Sequence, residues 1–136
     1  MKANNVVVRF LDGRLLKGST EDFRPPVAKF HLAPFDAPEG AAPVCVHLAE
    51  LKAVFFVRDV VGDRAHVPRN QFVKDQPFMG RKVRVVFADR EVIVGWTMGY
   101  GEPGPGFFLF PADLQRNTHR LYVVAANATE VSLLGP

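Results

Sequence analysis

The side chains best equipped for chemistry are four histidines, one cysteine and a recurring aspartate, and their spacing decides what they can do. His31, His47, His66 and His119 are scattered, none at ligand spacing from a Cys, Asp or Glu, so no metal site is expected. Cys45 stands alone between Val44 and Val46 in an apolar strand pattern. A lone cysteine makes neither an internal disulfide nor a zinc site, and a buried, inert thiol is expected. Asp12 recurs as Asp89, as a carboxylate pair for acid–base work would. A structural role outweighs that one, because an Asp opening a turn bonds its own backbone and appears in any repeated hairpin. Thr20 recurs as Thr97 without a repeated His to act as base, so both fit strands before they fit nucleophiles. These residues point to no catalytic centre and no cofactor, hence to a protein that is not an enzyme.

Binding chemistry has a few more candidates. Gly99 to Gly106, GYGEPGPG, has the glycine content of a phosphate-cradling loop but lacks its Lys and following helix, and its prolines remove amide donors. It reads as a loop between strands. Trp96 and Tyr100 flank it and, with Phe107 and Phe108, offer an aromatic surface for a proline-rich peptide or a base, although a small barrel consumes aromatics as core. Arg64, Arg69 and Lys74 form a basic stretch that nucleic acid or a phosphate ligand would contact, including a cyclic dinucleotide. The RxxxR spacing of such sites is not met, since Arg64 and Arg69 stand five apart. Arg9 and Arg84 read as solvated strand faces.

The charge of +3 is not spread evenly. Residues 6–57 carry six Lys or Arg against six Asp or Glu, residues 83–134 four against five, and residues 58–82 six against three. The excess therefore sits in a connector and at Lys2, a weaker signal for phosphate binding than a basic face on the fold.

Positioning comes from a pattern written twice. Val6 to Phe23, VVVRFLDGRLLKGSTEDF, returns 77 residues later as Val83 to Tyr100, VRVVFADREVIVGWTMGY. The register pairs Phe10 with Phe87, Gly18 with Gly95, Leu32 with Leu109, Pro34 with Pro111, Val46 with Val123 and Val54 with Val131. About 14 of 52 aligned positions are identical where chance gives about 3, so the chain is read as a duplication. Apolar spacing of two predicts five strands per copy. Asp12-Gly13 predicts a two-residue hairpin turn with both central residues at positive φ, and Gly18 and Gly95 a bulge or sharp bend. Third strands end at Pro34 and Pro111, fourth strands run over Val44 to Leu48 and Leu121 to Ala125, and fifth strands over Ala53 to Val57 and Glu130 to Leu134. The fold class expected is all-β, with two tandem SH3/Sm-like five-stranded barrels packed as one unit and with strand exchange between copies as an alternative. The expected boundaries are 1–57, a basic and partly apolar connector at 58–82, and 83–136.

Both copies of the apolar strand, Asp turn and glycine-bearing second strand resemble the first motif of Sm-like proteins. The chain also resembles a bacterial family built from such a duplicated unit and loosely associated with signalling modules. The resemblance implies a small five-stranded barrel and association through exposed strand edges. It implies less about RNA: the stretches corresponding to the base-binding loops, Arg24 to Ala28 and Ala49 to Lys52 with Gly101 to Gly106 and Ala126 to Thr129, lack the Met-Asn and Arg-Gly types those sites use.

The expected role is a non-enzymatic binding or assembly module with a protein partner or self-association. Nucleic-acid or nucleotide binding is the alternative and is not favoured. No apolar run approaches the roughly 20 residues of a membrane span, and the amino terminus enters a strand pattern without a signal peptide, so a cytoplasmic location is expected.

Overall fold

Alternating burial is the mark of a strand with one face inward, and it runs through most of the chain in the computed structural model, which describes residues 3–24, 28–59, 69–72, 80–101 and 104–134. The strands are β1 (Asn4–Phe10), β2 (Leu15–Thr20), β3 (Lys29–Pro34), β4 (Val44–His47), β5 (Leu51–Val57), β6 (Arg81–Phe87), β7 (Val92–Thr97), β8 (Gly106–Pro111), β9 (Thr118–Val124) and β10 (Ala128–Leu133). Single 3-10 turns, Leu48–Glu50 and Ala125–Asn127, lead into β5 and β10. Among the described residues there is no α-helix, so the protein is all-β. All neighbours are antiparallel, in the order β10-β6-β7-β8-β9-β5-β1-β2-β3-β4.

Pairings in β1 to β5 recur in β6 to β10 at the same 77-residue shift. Asn4 faces Thr20 as Arg81 faces Thr97, Lys29 faces His47 as Gly106 faces Val124, and Val6 faces Phe56 as Val83 faces Leu133. Each half keeps its own strands, so no exchange occurs. The halves meet where β5 pairs with β9, from Ala53 opposite Val123 to Val57 opposite Thr118. That pairing joins the halves in one open ten-stranded antiparallel sheet.

The meeting strand explains the core. All seven residues of β5 are buried. Val54 and Phe56 enter one apolar cluster with Val6, Val8, Phe30, Leu32 and Leu51, while Ala53, Phe55 and Val57 enter a second with Val83, Val85, Phe87, Ile93 and Leu109. β9 divides in the same way, Tyr122 and Val124 going to the first cluster and Leu121 and Val123 to the second. A strand covered on both faces needs a continuous apolar run rather than alternation, and LKAVFFV supplies it.

Three expectations are corrected. The hairpin after β1 is not a two-residue turn. Gly13 N–H donates to the Phe10 carbonyl at 3.1 Å and Phe10 N–H to the Arg14 carbonyl at 2.9 Å, with Gly13 at φ 93°. This is a three-residue loop with a single left-handed position. The second half repeats it, with Arg90 at φ 75° donating to Phe87 at 2.9 Å. The second correction concerns the bulge at Gly18 and Gly95: no register shift falls there, and the glycines allow close backbone approach. A Cβ on Gly18 would lie 2.4 Å from the Ala33 carbonyl oxygen, and one on Gly95 2.1 Å from that of Phe110. The register irregularities fall elsewhere, at Arg9/Phe10, Phe56/Val57 and Ala128/Glu130. Finally, Cys45 is exposed: β4 ends the strand order, and among the described residues no further strand lies beyond it. β9 begins at Thr118, three residues before the fourth strand expected from Leu121.

Candidate functional site

The face of β1 turned away from its own cluster carries Val7 and Arg9. Cross-strand pairing sets Lys17 and Leu15 of β2 beside them on one flank and Phe55 of β5 beside Val7 on the other. Loops of the second half rise over this floor, bringing Arg116 from the β8–β9 loop and Glu91 from the start of β7. A cleft of about 320 Å³ results, its floor formed by Val7, Phe55 and Val57.

The wall from the second half is tied down. Asn117 accepts from Arg58 N–H on its carbonyl at 3.0 Å and from Asp59 N–H on its side-chain oxygen at 2.9 Å, and its amide donates back to the Asp59 carbonyl at 2.8 Å. Arg58 donates its guanidinium to the Arg116 carbonyl. The Arg116 side chain is 12% exposed, and its guanidinium lies 3.7 Å from Glu91 Oε2. Glu91 is shared, since Lys52 Nζ sits 2.5 Å from its Oε1 and 2.7 Å from Asp89 Oδ2. Burial holds the Arg116 pKa below its ordinary value, Glu91 and Asp113 oppose that, and Arg9 adds to the lowering. Arg9 lies 5.7 Å from the centroid of the Phe55 ring, and among the described residues no carboxylate pairs with it.

A second polar cluster surrounds Asp22. Its Oδ2 lies 2.7 Å from His31 Nδ1, and its Oδ1 accepts from His31 N–H at 2.9 Å and from the Thr20 hydroxyl at 3.2 Å. Burial pushes the Asp22 pKa up, but these donors outweigh it and hold the carboxyl below its ordinary range. Such an aspartate orients an imidazole as a general base requires, yet both side chains are about half exposed. Cys45 Sγ lies 4.0 Å from the His47 ring. Two histidines thus have acidic or thiol neighbours, contrary to the reading from spacing. Adjacent strands β2 and β3 bring Asp22 to His31 across nine positions. Among the described residues no group of three or more His, Cys, Asp or Glu could hold a metal ion.

Of the residues singled out from sequence, Tyr100 and Phe107 are brought together, whereas Arg69 and Trp96 sit in contacts of their own. Arg64 and Lys74 lie outside the described residues. Arg69 donates its backbone N–H to Asp113 Oδ2 at 2.9 Å, and the neighbouring Asn70 bonds one edge of β7, donating to the Val92 carbonyl at 2.7 Å and accepting from Val94 N–H at 3.3 Å. Trp96 stands edge-on to Phe72 at 5.1 Å, with the Lys82 ammonium over both rings. Tyr100 meets Phe107 edge-on at 5.1 Å. Arg9, read from sequence as a solvated strand face, lines the cleft. Lys17, Arg116 and Glu91 were not singled out at all. A usable signal existed: at the 77-residue shift Arg9, Lys17 and Arg116 correspond to Val86, Val94 and Glu39, so their charge is not inherited from the repeated pattern.

The model of a family described as a family of unknown function (DUF6982) matches residues 2–135. No curated protein and no solved structure matches.

Proposed function

The chain belongs to this family, DUF6982, and since membership names no activity we propose a role from the geometry: a non-enzymatic, cytoplasmic binding module that recruits a protein partner through a sheet edge. In this reading the halves are duplicated small barrels of the Sm-like kind, and the single observation that carries the role is the joint between them. At β5 and β9 one unit accepts a whole strand edge-on from another. Two edges of the same kind remain, β4 and β10, and among the described residues no strand lies beyond either.

β10 is the receiving edge. It offers six residues without proline, whereas β4 has four and follows Pro43. Leu134 N–H donates to the Lys82 carbonyl at 2.9 Å, so alternation points the Leu133 and Val131 amides away from β6 to the open side. An extended segment of a partner would add there as an eleventh strand, its backbone giving affinity and alternate side chains specificity.

The test is affinity purification of the full chain from its native cell extract, followed by hydrogen exchange on the recovered complex. The expected result is new protection at the Val131 and Leu133 amides. A chain recovered alone, or a complex protected elsewhere, overturns the proposal.

A further inference from the structure

The start of β9 gathers basic side chains that the joint between the halves does not need. Arg120 lies opposite Phe56 but Thr118 lies opposite Val57, which leaves His119 as the extra residue of a bulge. A bulge re-aims the side chains beside it. The backbone there is pinned, since Arg58 N–H donates to the Asn117 carbonyl at 3.0 Å and Asp59 N–H to the Asn117 side chain at 2.9 Å. Arg58, His119 and Arg120 share this corner, and both guanidiniums act on the imidazole: burial first, then Arg120 and Arg58, hold the His119 pKa below its ordinary value. Arg120 is the member without a counter-ion. Its guanidinium lies over two rings, 4.4 Å from the Phe56 centroid and 5.0 Å from that of Phe108, which shield one side of it from water. Its Nε is buried without a hydrogen-bond partner, a cost that asks for an explanation. Burial alone holds its pKa below the ordinary value; no carboxylate among the described residues offsets it, as Glu91 and Asp113 do for Arg116. The joint needs only the Arg120 amide, which any residue but proline supplies. At the 77-residue shift Ala42, Pro43 and Gly135 stand for His119, Arg120 and Arg58, so none of these side chains belongs to the repeated pattern.

We propose that this corner binds a phosphate monoester, the Arg120 guanidinium bonding two of its oxygens with Arg58 and His119 beside the group. A guanidinium fork matches paired phosphate oxygens, and two of them balance the double charge of a monoester better than the single charge of a carboxylate. Arg58 gives one N–H to the Arg116 carbonyl and has others to give. A phosphorylated side chain and a small phosphate ester present the same group, and the test separates them. The site is independent of the β10 edge, so either can fail without the other.

Calorimetric titration of the full chain at low ionic strength, with glycerol phosphate, a Gly-Ala peptide carrying one phosphoserine, and acetate as probes, tests it. Both phosphate probes are expected to bind saturably and about tenfold or more tightly than acetate. Tighter binding of the peptide identifies a phosphorylated protein as the source, and equal or tighter binding of glycerol phosphate identifies a small ester. Arg120→Gln keeps the amide that pairs with β5 and is expected to weaken binding about tenfold. Where that variant disturbs the ring cluster, Arg58→Gln and His119→Gln, both at exposed positions, carry the same test, each expected to weaken binding about threefold. Arg84→Gln, which removes a cation on β6 away from this corner, is expected to leave affinity unchanged. Absence of saturable binding by both phosphate probes overturns the proposal, as does an equal loss from Arg84→Gln or acetate binding as tightly as phosphate. Tighter binding of a single-stranded RNA oligomer than of either phosphate probe, lost in the same variants, would overturn the monoester assignment in favour of nucleic acid.

Discussion

β5 and β10 hold the same place in their halves, as do β9 and β4, yet one pair is joined and the other stands open. The residues that differ are the ones a joint needs. Ala53 and Phe55, which β5 turns toward the second cluster, correspond to Glu130 and Ser132 in β10. Tyr122 and Val124, which β9 turns toward the first cluster, correspond to Cys45 and His47 in β4. Matched register and alternating bonds place the Arg120 amide opposite Phe56 on the bonded side, and its counterpart is Pro43, which has no N–H to give. The outer edges thus carry polar side chains and a proline where the inner joint carries apolar side chains and an amide. This is how edge strands avoid pairing with copies of themselves. The same backbone pattern has been written once to join its own twin and once to refuse it, which leaves β10 to a segment of different sequence.

The comparison breaks most visibly if the outer pattern is moved inward. Phe55→Ser gives β5 the residue of β10 and removes a ring that is 4% exposed; the loss is expected to reach about 3–5 kcal/mol, read by urea denaturation. Moving the inner pattern outward should do the reverse of stopping. A chain carrying Glu130→Ala, Ser132→Phe, Cys45→Tyr and Pro43→Arg together is expected to self-associate with rising concentration in sedimentation velocity, while the unaltered chain does not.

Lys52 sharpens the contrast electrostatically. Its buried ammonium ties β5 to Asp89 and Glu91 on the far side of the joint. Lys52→Met is expected to cost about 1–3 kcal/mol, below the range for fully buried pairs because both carboxylates are partly exposed. Burial raises the Asp89 pKa, but bonds from Lys52 and the Glu91 amide outweigh it, and the net effect is a lowering. A carboxyl depressed on folding contributes stability that is complete above its unfolded value and disappears as pH falls through its folded one. The unaltered chain should lose this contribution only below about pH 4, and in Lys52→Met most of it should be missing at every pH, as measured by thermal melts across the acid range.

The smallest effect compares the two hairpins. Gly13 and Arg90 occupy the same left-handed position, at φ 93° and 75°, and only glycine does so without strain. Arg90→Gly is expected to raise stability by about 1 kcal/mol, and Gly13→Ala to lower it by a similar amount, both by urea denaturation.

Much of this arrangement was legible from local pattern. Alternation located the strands to within a few residues, and Pro34 and Pro111 ended their strands where they cannot donate. The Asp turns and the two short turns before the last strands were also readable. Neighbourhood across the sheet was not. Cys45 looked buried because VCV reads as a central strand, and nothing in three residues says that no further strand follows. The unbroken run in β5 was the available sign of double burial, and reading it would have pointed to the joint. The cleft escaped because charge summed by segment cannot show that Arg9, Lys17 and Arg116, separated by as many as 107 positions, share one hollow.

Since β5 contributes side chains to both apolar clusters, neither half can melt while the other stays folded: stripping β5 from one leaves Ala53, Phe55 and Val57, or Val54 and Phe56, facing water. Heating should therefore produce a single calorimetric transition rather than two. A protease cut in the connector should yield fragments that remain associated until both unfold at once.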